Sequence, residues 1–335
     1  MEKSYGHMQL TATEMGKLWA TYMGNTMSQC VLSHYFQHVE DPDIKKVLDH
    51  ALYLNQSILK NIKEIFIAEH FPVPIGFTKE DVNVDAPRLF SDQFYLHYLR
   101  YLSKAGMSIY SIAVPLMTRK DIRGFFTHTL EATVQLINEV DQVLMAKGFL
   151  TKPPIIPIPS QVDFVKKQSY LKGFFGNTRP LHALEITHLY ENMENNVTSK
   201  ALLLAFSQVA QDDQVRQFFV RGKELTDKQL ETCSEKLYNE NLPSPSSLEH
   251  LVSASTISPF SDKLMLAHKI DMFSMKIRTY GNGASLNGRR DIGAMYTKFL
   301  ADIGFYVEDA ANIMIDYGWM EQPPQAVNRD ELTSS

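Results

Sequence analysis

"GFLTKPP" at residues 148–154 and "GWMEQPP" at residues 318–324 decide the architecture of this chain. Each has a glycine, an aromatic residue, a long apolar residue, two polar residues and a double proline. Glycine followed by proline is how a helix is brought to a stop. The same terminator occurs twice because the chain is duplicated. Upstream, "LTATEMGKLWATYMGNTMS" (10–28) falls on "LHALEITHLYENMENNVTS" (181–199), so that Leu10, Ala12, Glu14, Leu18, Asn25 and Ser28 recur as Leu181, Ala183, Glu185, Leu189, Asn196 and Ser199. "DPDIKKVL" (41–48) falls on "DDQVRQFF" (212–219), "FPVP" (71–74) on "LPSP" (242–245), "LFSDQF" (89–94) on "PFSDKL" (259–264), and "RKDI" (119–122) on "RRDI" (289–292). The offset is 171 residues from Leu10 to Leu181 and 170 from Arg119 to Arg289, so one loop residue is lost after the PxP. A period this long is domain duplication rather than a solenoid of short repeats.

Each copy reads as four helices, and the fold class is all-α. The first helix covers roughly 10–38 and 181–209. Asp41 and Asp212 are N-caps of the second, with Pro42 at the first helical position of one copy. The second helix is expected to run to the PxP. Ser91 or Asp92, and Ser261 or Asp262, open the third. Thr118 with Asp121 resembles a capping box for the fourth. Phe126, Leu130, Thr133, Ile137, Val140 and Leu144 form a 4-3-4-3-4 stripe on that helix, matched by Tyr296, Leu300, Ile303, Val307, Ala310 and Met314. That is the seam of a bundle helix. Met15, Trp19, Tyr22 and Thr26 are the corresponding stripe of the first helix, against Ile186, Tyr190, Met193 and Val197. Short links between the first and second and the third and fourth helices give an antiparallel, up-down four-helix bundle. The expected layout is a first bundle at 1–152, a proline-rich then amphipathic linker at 153–180, a second bundle at 181–325 and a tail at 326–335. Each copy is long enough for its own core, so the halves are expected to be separable.

The chain has 335 residues, 44% of them hydrophobic and 21% charged, with a net charge of −5 and pI near 6.1. Those are the proportions of an ordinary globular protein. The acidic balance argues against a general nucleic-acid binder. No apolar run reaches the ~18 residues of a spanning helix. "MEKSYGHMQL" has no secretory h-region, and Cys30 and Cys233 match no zinc or CxxC spacing, so a reducing, cytoplasmic location is expected. In the linker, Phe164, Leu171, Phe174 and Phe175 stand among Lys166, Lys167 and Lys172. The expected structure there is a short helix packed on the bundles, with a membrane-touching or partner-binding segment as the alternative.

The duplicated layout resembles a family of unknown function from spore-forming Bacillus relatives. Its members carry two ferritin-like bundles, and some bear a spore-coat label near the coat-F type. The likeness is carried by "RPLHALEITHLYENMENN" (179–196), by "FFG" (174–176), by "FSD" at 90–92 and 260–262, and by the two double-proline endings. It implies two ferritin-like bundles and raises the question of a di-metal centre. Such a centre needs inward carboxylates from all four helices, with Glu-x-x-His on two of them. The second copy has one such pair, Glu185 and His188, whereas the first has Glu14 with Lys17 at the histidine position. The other matched glutamates are Glu64 and Glu235, and the fourth-helix positions offer Leu130, Ile137, Leu300 and Val307. A di-iron centre is therefore not expected. Glu14, Glu185 and His188 remain the metal candidates, and no cofactor is expected. Glu14 and Asn25, with their copies, lie three turns apart on one side of the helix and are expected to fix register through hydrogen bonds. His34 and His38 have a spacing that can share a metal but read as a solvated helix end. Arg119–Lys120 and Arg289–Arg290 stand at a helix start and could hold an anion, or simply be solvated. "YGNGASLNGRRD" (280–291) is glycine-rich and reads as a loop that a partner could order. Its "GNG" follows a helical pattern and not a strand, so it is no dinucleotide fingerprint. No catalytic constellation is present. The expectation is a non-enzymatic structural or interaction protein with an unknown protein partner, linked to sporulation by the resemblance. The alternative is a metal- or small-molecule-binding bundle.

Overall fold

The computed structural model describes residues 8–175, 178–286, 288–329 and 332. Gly176 of the "FFG" stretch, Asn287 of the glycine-rich stretch and most of 330–335 in the tail lie outside them. Eight α-helices form: α1 (Ala12–His38), α2 (Pro42–Ala68), α3 (Asp92–Ala113) and α4 (Lys120–Ala146), then α5 (Ala183–Val209), α6 (Asp213–Tyr238), α7 (Asp262–Leu286) and α8 (Arg290–Asp316). Each set of four is a pair of helical hairpins joined by a long crossover, residues 69–91 and 239–261. One long crossover is the ferritin-like version of the bundle.

The local signals act as the residues dictate. Asp41 and Asp212 cap α2 and α6, accepting from Ile44 N and Val215 N at 3.2 and 3.0 Å. Gly148 and Gly318 are left-handed, with φ of 70° and 66°. They let Phe149 N reach Leu144 O at 2.9 Å and Trp319 N reach Met314 O at 2.8 Å, which closes α4 and α8. α2 and α6 stop short of the PxP by the same device, here built on His70 (φ 54°) and Asn241 (φ 57°). The buried stripe of α4 is Ile122, Phe126, Thr129, Thr133, Leu136, Val140 and Leu144. Leu130 and Ile137 sit beside it, half-buried, as do Leu300 and Val307 in α8, where Phe299 and Tyr306 take the core positions. α5 is buried nearly all round, beyond its expected stripe. In α1, Leu18 and Thr21 replace Met15, Trp19 and Tyr22 at the centre of the buried face. The glycine-rich stretch is helical through Leu286. Gly283 is required there, because a Cβ would come 2.7 Å from the Tyr296 ring of α8.

The two bundles pack as if related by a two-fold axis. Val82 forms an antiparallel bridge with Phe260, and Phe90 forms one with Val252. Since 82 and 90 correspond to 252 and 260, each bridge is the other's symmetry mate. Tyr98 OH and His268 Nε2 share a hydrogen bond of 2.8 Å, and Arg278 Nε donates to Ser108 Oγ at 3.1 Å. In both cases a position meets its own copy across the axis. That is the pattern of an isologous dimer interface, here within one chain. It also explains α5, which must serve its own bundle and the neighbouring one.

One hydrophobic core runs through the interface, from Tyr35, Phe90, Phe94 and Tyr98 into Phe206, Phe260 and Phe273. A second cluster, around Leu18, Ile62, Phe66 and Phe126, belongs to the far end of the first bundle alone. The large shared core changes the expectation of separable halves. A fragment covering 177–325 would expose the faces of α5 and α7 that meet the first bundle. It is expected to elute as a dimer or larger species in size-exclusion chromatography with light scattering. A cooperative, strictly monomeric helical fragment would show that the second bundle does not need that face covered.

Candidate functional site

Glu14 is fully buried, with 0% of its surface exposed. Its carboxylate is taken up by two helix starts. Its Oε1 accepts from Thr118 N (3.0 Å), Thr118 Oγ1 (3.0 Å) and Arg119 N (2.8 Å), and its Oε2 from Thr11 N and Thr11 Oγ1 (both 2.9 Å). The carboxylate therefore closes the capping box of α1 and, from across the bundle, caps α4. Burial alone would raise its pKa, but these donors outweigh burial and hold it down at about 2. Glu185 repeats the arrangement. It accepts from Gly288 N (3.0 Å), Arg289 N (2.9 Å) and His182 N (3.0 Å), and the Arg179 guanidinium grips both oxygens at 2.8 Å. Burial pushes its pKa up and the Arg179 and backbone donors pull it lower, with a net lowering.

These two clamps rearrange several expectations. Thr118 does not cap α4 through Asp121. The N-cap is Arg119 and makes no side-chain cap, because Glu14 supplies the acceptor. The helix starts at Arg119–Lys120 and Arg289–Arg290 do hold an anion, and it is the protein's own carboxylate. Arg119 spends its guanidinium on Asp121 and Glu69, and Arg289 on Asp291, while Lys120 and Arg290 are exposed. Glu185 and His188 are not brought together. His188 faces Glu191 at 3.8 Å instead. Glu64 and Glu235 lie on the exposed faces of α2 and α6. Among the described residues no group of three or more His, Cys, Asp or Glu side chains could hold a metal ion.

His34 and His38 are not a solvated helix end. His34 is fully buried, its Nε2 3.1 Å from Ala86 O, and His38 Nε2 lies 2.8 Å from Val84 O. The pair pins the crossover to α1, and burial pushes the His34 pKa down to about 4. Asn25 and Asn196 bridge helices as expected, donating to Tyr110 OH (3.3 Å) and Tyr280 OH (2.8 Å). Cys30 and Cys233 are buried free thiols, pushed up to about 12 by burial.

Three polar features escaped the sequence reading. In the second bundle, Lys269 and Lys276 are buried, and among the described residues neither pairs with a carboxylate. Lys269 Nζ donates to Ser199 Oγ at 2.8 Å and Lys276 Nζ to Thr226 Oγ1 at 3.1 Å. Burial pushes the Lys276 pKa down to about 7 and lowers that of Lys269 well below its usual value. In the first bundle, a half-open cavity of about 100 Å³ is lined by Thr21, Asn55, Ser103 and Gly106, with Asp271 of α7 at its side. Between the bundles, a cleft of about 270 Å³ holds Arg100, which bridges Asp141 (2.7 Å) and Glu194 (2.8 Å), and Lys104, 3.0 Å from Glu194. The signal for all three was a break in the repeat. Lys269 and Lys276 stand where the first copy has Leu99 and Gly106, and Arg100 and Glu194 stand where the other copy has Ile270 and Met23.

Most of the linker stands away from the bundles, and its last part, at Tyr170 and Gly173, packs on the second bundle: the Arg179 guanidinium lies 4.1 Å from the centre of the Tyr170 ring, and Gly173 lies against Asp291 at the start of α8. Among its described residues one 3-10 turn forms, at Gln168–Leu171. Ile155, Ile158, Val162, Phe164, Val165, Phe174 and Phe175 are exposed, Phe175 by 88%. No helix of the described residues is long and apolar enough to cross a membrane.

No curated protein matches the chain. The crystal structure of a candidate spore coat protein from Bacillus halodurans is similar at 20% identity and a TM-score of 0.40, over 48% of this chain and 100% of that one. A family model described as "Protein of unknown function" matches residues 3–162 and again residues 169–332. The chain therefore belongs to that family, DUF3231, and carries its domain twice in tandem.

Proposed function

We propose that this protein is a non-enzymatic structural or interaction protein whose contact segment is the linker between its bundles, and that it serves in or near the spore. The exposed linker carries the reading. Nine large apolar side chains from Ile155 to Phe175 stay uncovered beside the duplicated body. Soluble monomers rarely leave such a contiguous patch bare unless something docks there. Lys166, Lys167 and Lys172 lie in the same segment and favour an acidic partner surface. The spore association rests on the family resemblance in residues 179–196 and on nothing in the site itself. Of the carboxylates that a ferritin-like redox centre would use, Glu14 and Glu185 are committed to helix starts and Glu64 and Glu235 face outward, which favours a role without iron chemistry.

The test is fractionation of a sporulating culture of the organism that encodes the chain. The protein is expected in the spore fraction, and F164S/F175S is expected to shift most of it to the mother-cell extract without changing its melting temperature. Finding the unaltered protein only in vegetative cytosol, at levels that sporulation leaves unchanged, would remove the reading. Anaerobic Fe(II) loading and desalting separates the alternative. Retention of two irons per bundle, lost on Glu14→Ala or Glu185→Ala, would promote a metal enzyme.

A further inference from the structure

The cavity inside the first bundle has no equivalent need in packing terms, because the second bundle fills the same place. Ser103 and Gly106 of α3 line it. Their counterparts in α7 are Phe273 and Lys276. Two small residues thus leave open what two large ones occupy, and the bundle folds the same way around both.

The walls of the cavity are unsatisfied. Asn55 Nδ2 donates to Asn25 O (2.9 Å) and Asn25 Oδ1 (3.0 Å), which turns Asn55 Oδ1 the other way. Because the amide nitrogen must face those two acceptors, the free atom is an acceptor. Nothing among the described residues donates to it, and Thr21 Oγ1 and Ser103 Oγ are likewise without a partner. All three side chains are buried, with 4%, 4% and 2% of their surface exposed for Thr21, Asn55 and Ser103. Buried polar atoms of this kind are rare in native proteins unless water or a ligand completes them. Asp271 reaches the same cavity from α7, and burial raises its pKa.

The second bundle shows what fits. There, Lys276 Nζ donates to Thr226, the counterpart of Asn55, and Lys269 Nζ donates to Ser199, the counterpart of Ser28, which also lines the cavity. The second bundle brings amines to this place on its own side chains. The first brings none and leaves acceptors in their stead, and α7 of the second bundle adds the Asp271 carboxylate. We infer that the cavity of the first bundle binds a small primary ammonium ion, a short alkylamine whose N–H groups go to Asn55 Oδ1, Thr21 Oγ1 and Ser103 Oγ with Asp271 as counter-charge. The volume has room for about three waters, and so for a ligand of about two to four heavy atoms. The inference does not rest on the role of the linker, and either can fail alone.

Ethylammonium chloride is the probe, on the full chain, with potassium chloride and tetramethylammonium chloride at equal ionic strength as controls. Ethylammonium is expected to raise the melting temperature saturably, by about 2–4 °C near saturation, where the controls do not. S103F, which copies Phe273, should abolish the effect. D271N should weaken binding about tenfold or more while leaving the cavity in place. A crystal soaked in ethylammonium should show the ion against Asn55. If S103F does not fold, D271N and the soak decide. The inference is overturned if potassium produces the same rise, if neither variant weakens the effect, or if the soaked cavity holds only water.

Discussion

Glu14→Ala is expected to lower the stability of the chain by roughly 3–5 kcal/mol. The size follows from what the carboxylate does. It is the common acceptor for backbone N–H groups at the start of α1 and of α4, from Thr11, Thr118 and Arg119. Alanine would leave the half-buried Arg119 N–H without its acceptor, at about 1–3 kcal/mol, and would remove the helix caps from the exposed Thr11 and Thr118, at about 1 kcal/mol each. Glu14→Gln keeps the shape but loses charge and turns one acceptor into a donor, so it should fall between. The same carboxylate predicts an acid limb. Its folded pKa, about 2, lies below the ordinary 4.5. A depressed carboxyl pKa stabilises the fold fully above the unfolded value, and that stabilisation is lost as pH falls through the folded value. Urea denaturation followed from pH 6 down to about 2 should show stability falling below about 4.5, with a flatter fall in Glu14→Gln. An Ala variant within 1 kcal/mol of the parent would mean that water takes over the clamp.

Lys276→Met is expected to act in the opposite direction and stabilise the protein by about 1–4 kcal/mol at pH 7. Lys276 is 1% exposed, and among the described residues its one hydrogen-bond partner is Thr226 Oγ1 and no carboxylate forms an ion pair with it. Methionine keeps the length and the contact with the Phe273 ring, 4.4 Å from the present amine. Thr226 loses nothing it needs, because its hydroxyl already donates to Gly222 O at 2.8 Å. The pH dependence checks the cause. The folded pKa is pushed down to about 7 from 10.5. Between those values the unfolded chain holds the proton and the folded chain does not, so stability should rise from pH 7 toward 10.5 and level off below 7. Lys276→Met should remove most of that rise. A destabilised Met variant, with the alkaline rise intact, would show that the amine is hydrated in the folded protein.

The sequence by itself determined the duplication, the eight helices and most of their ends. Those depend on local chemistry: an aspartate accepting from the next turn, a glycine free to turn left-handed, a stripe of apolar residues every third or fourth position. Asp41, Asp212, Gly148 and Gly318 act within a few residues of themselves, so a linear reading finds them. The stripe of α4 was misplaced by one residue at Leu130 and Ile137, because a 4-3 repeat and a 3.6-residue turn drift apart along a straight helix. The repeat also marked Glu14 and Glu185 as special but not what they touch, since Thr118 and Arg289 are about a hundred residues away in the chain. Only the tertiary structure decided that each of the repeated carboxylates is an internal anion for two helix starts. It alone decided that the bundles meet about a two-fold axis, with Tyr98 on His268, and so share one core. The repeat makes Lys276 and Gly106 counterparts, and the tertiary structure decided that their shared point is filled in one bundle and open in the other. Burial and partnership are properties of chains brought together in space, and a residue's own type fixes neither.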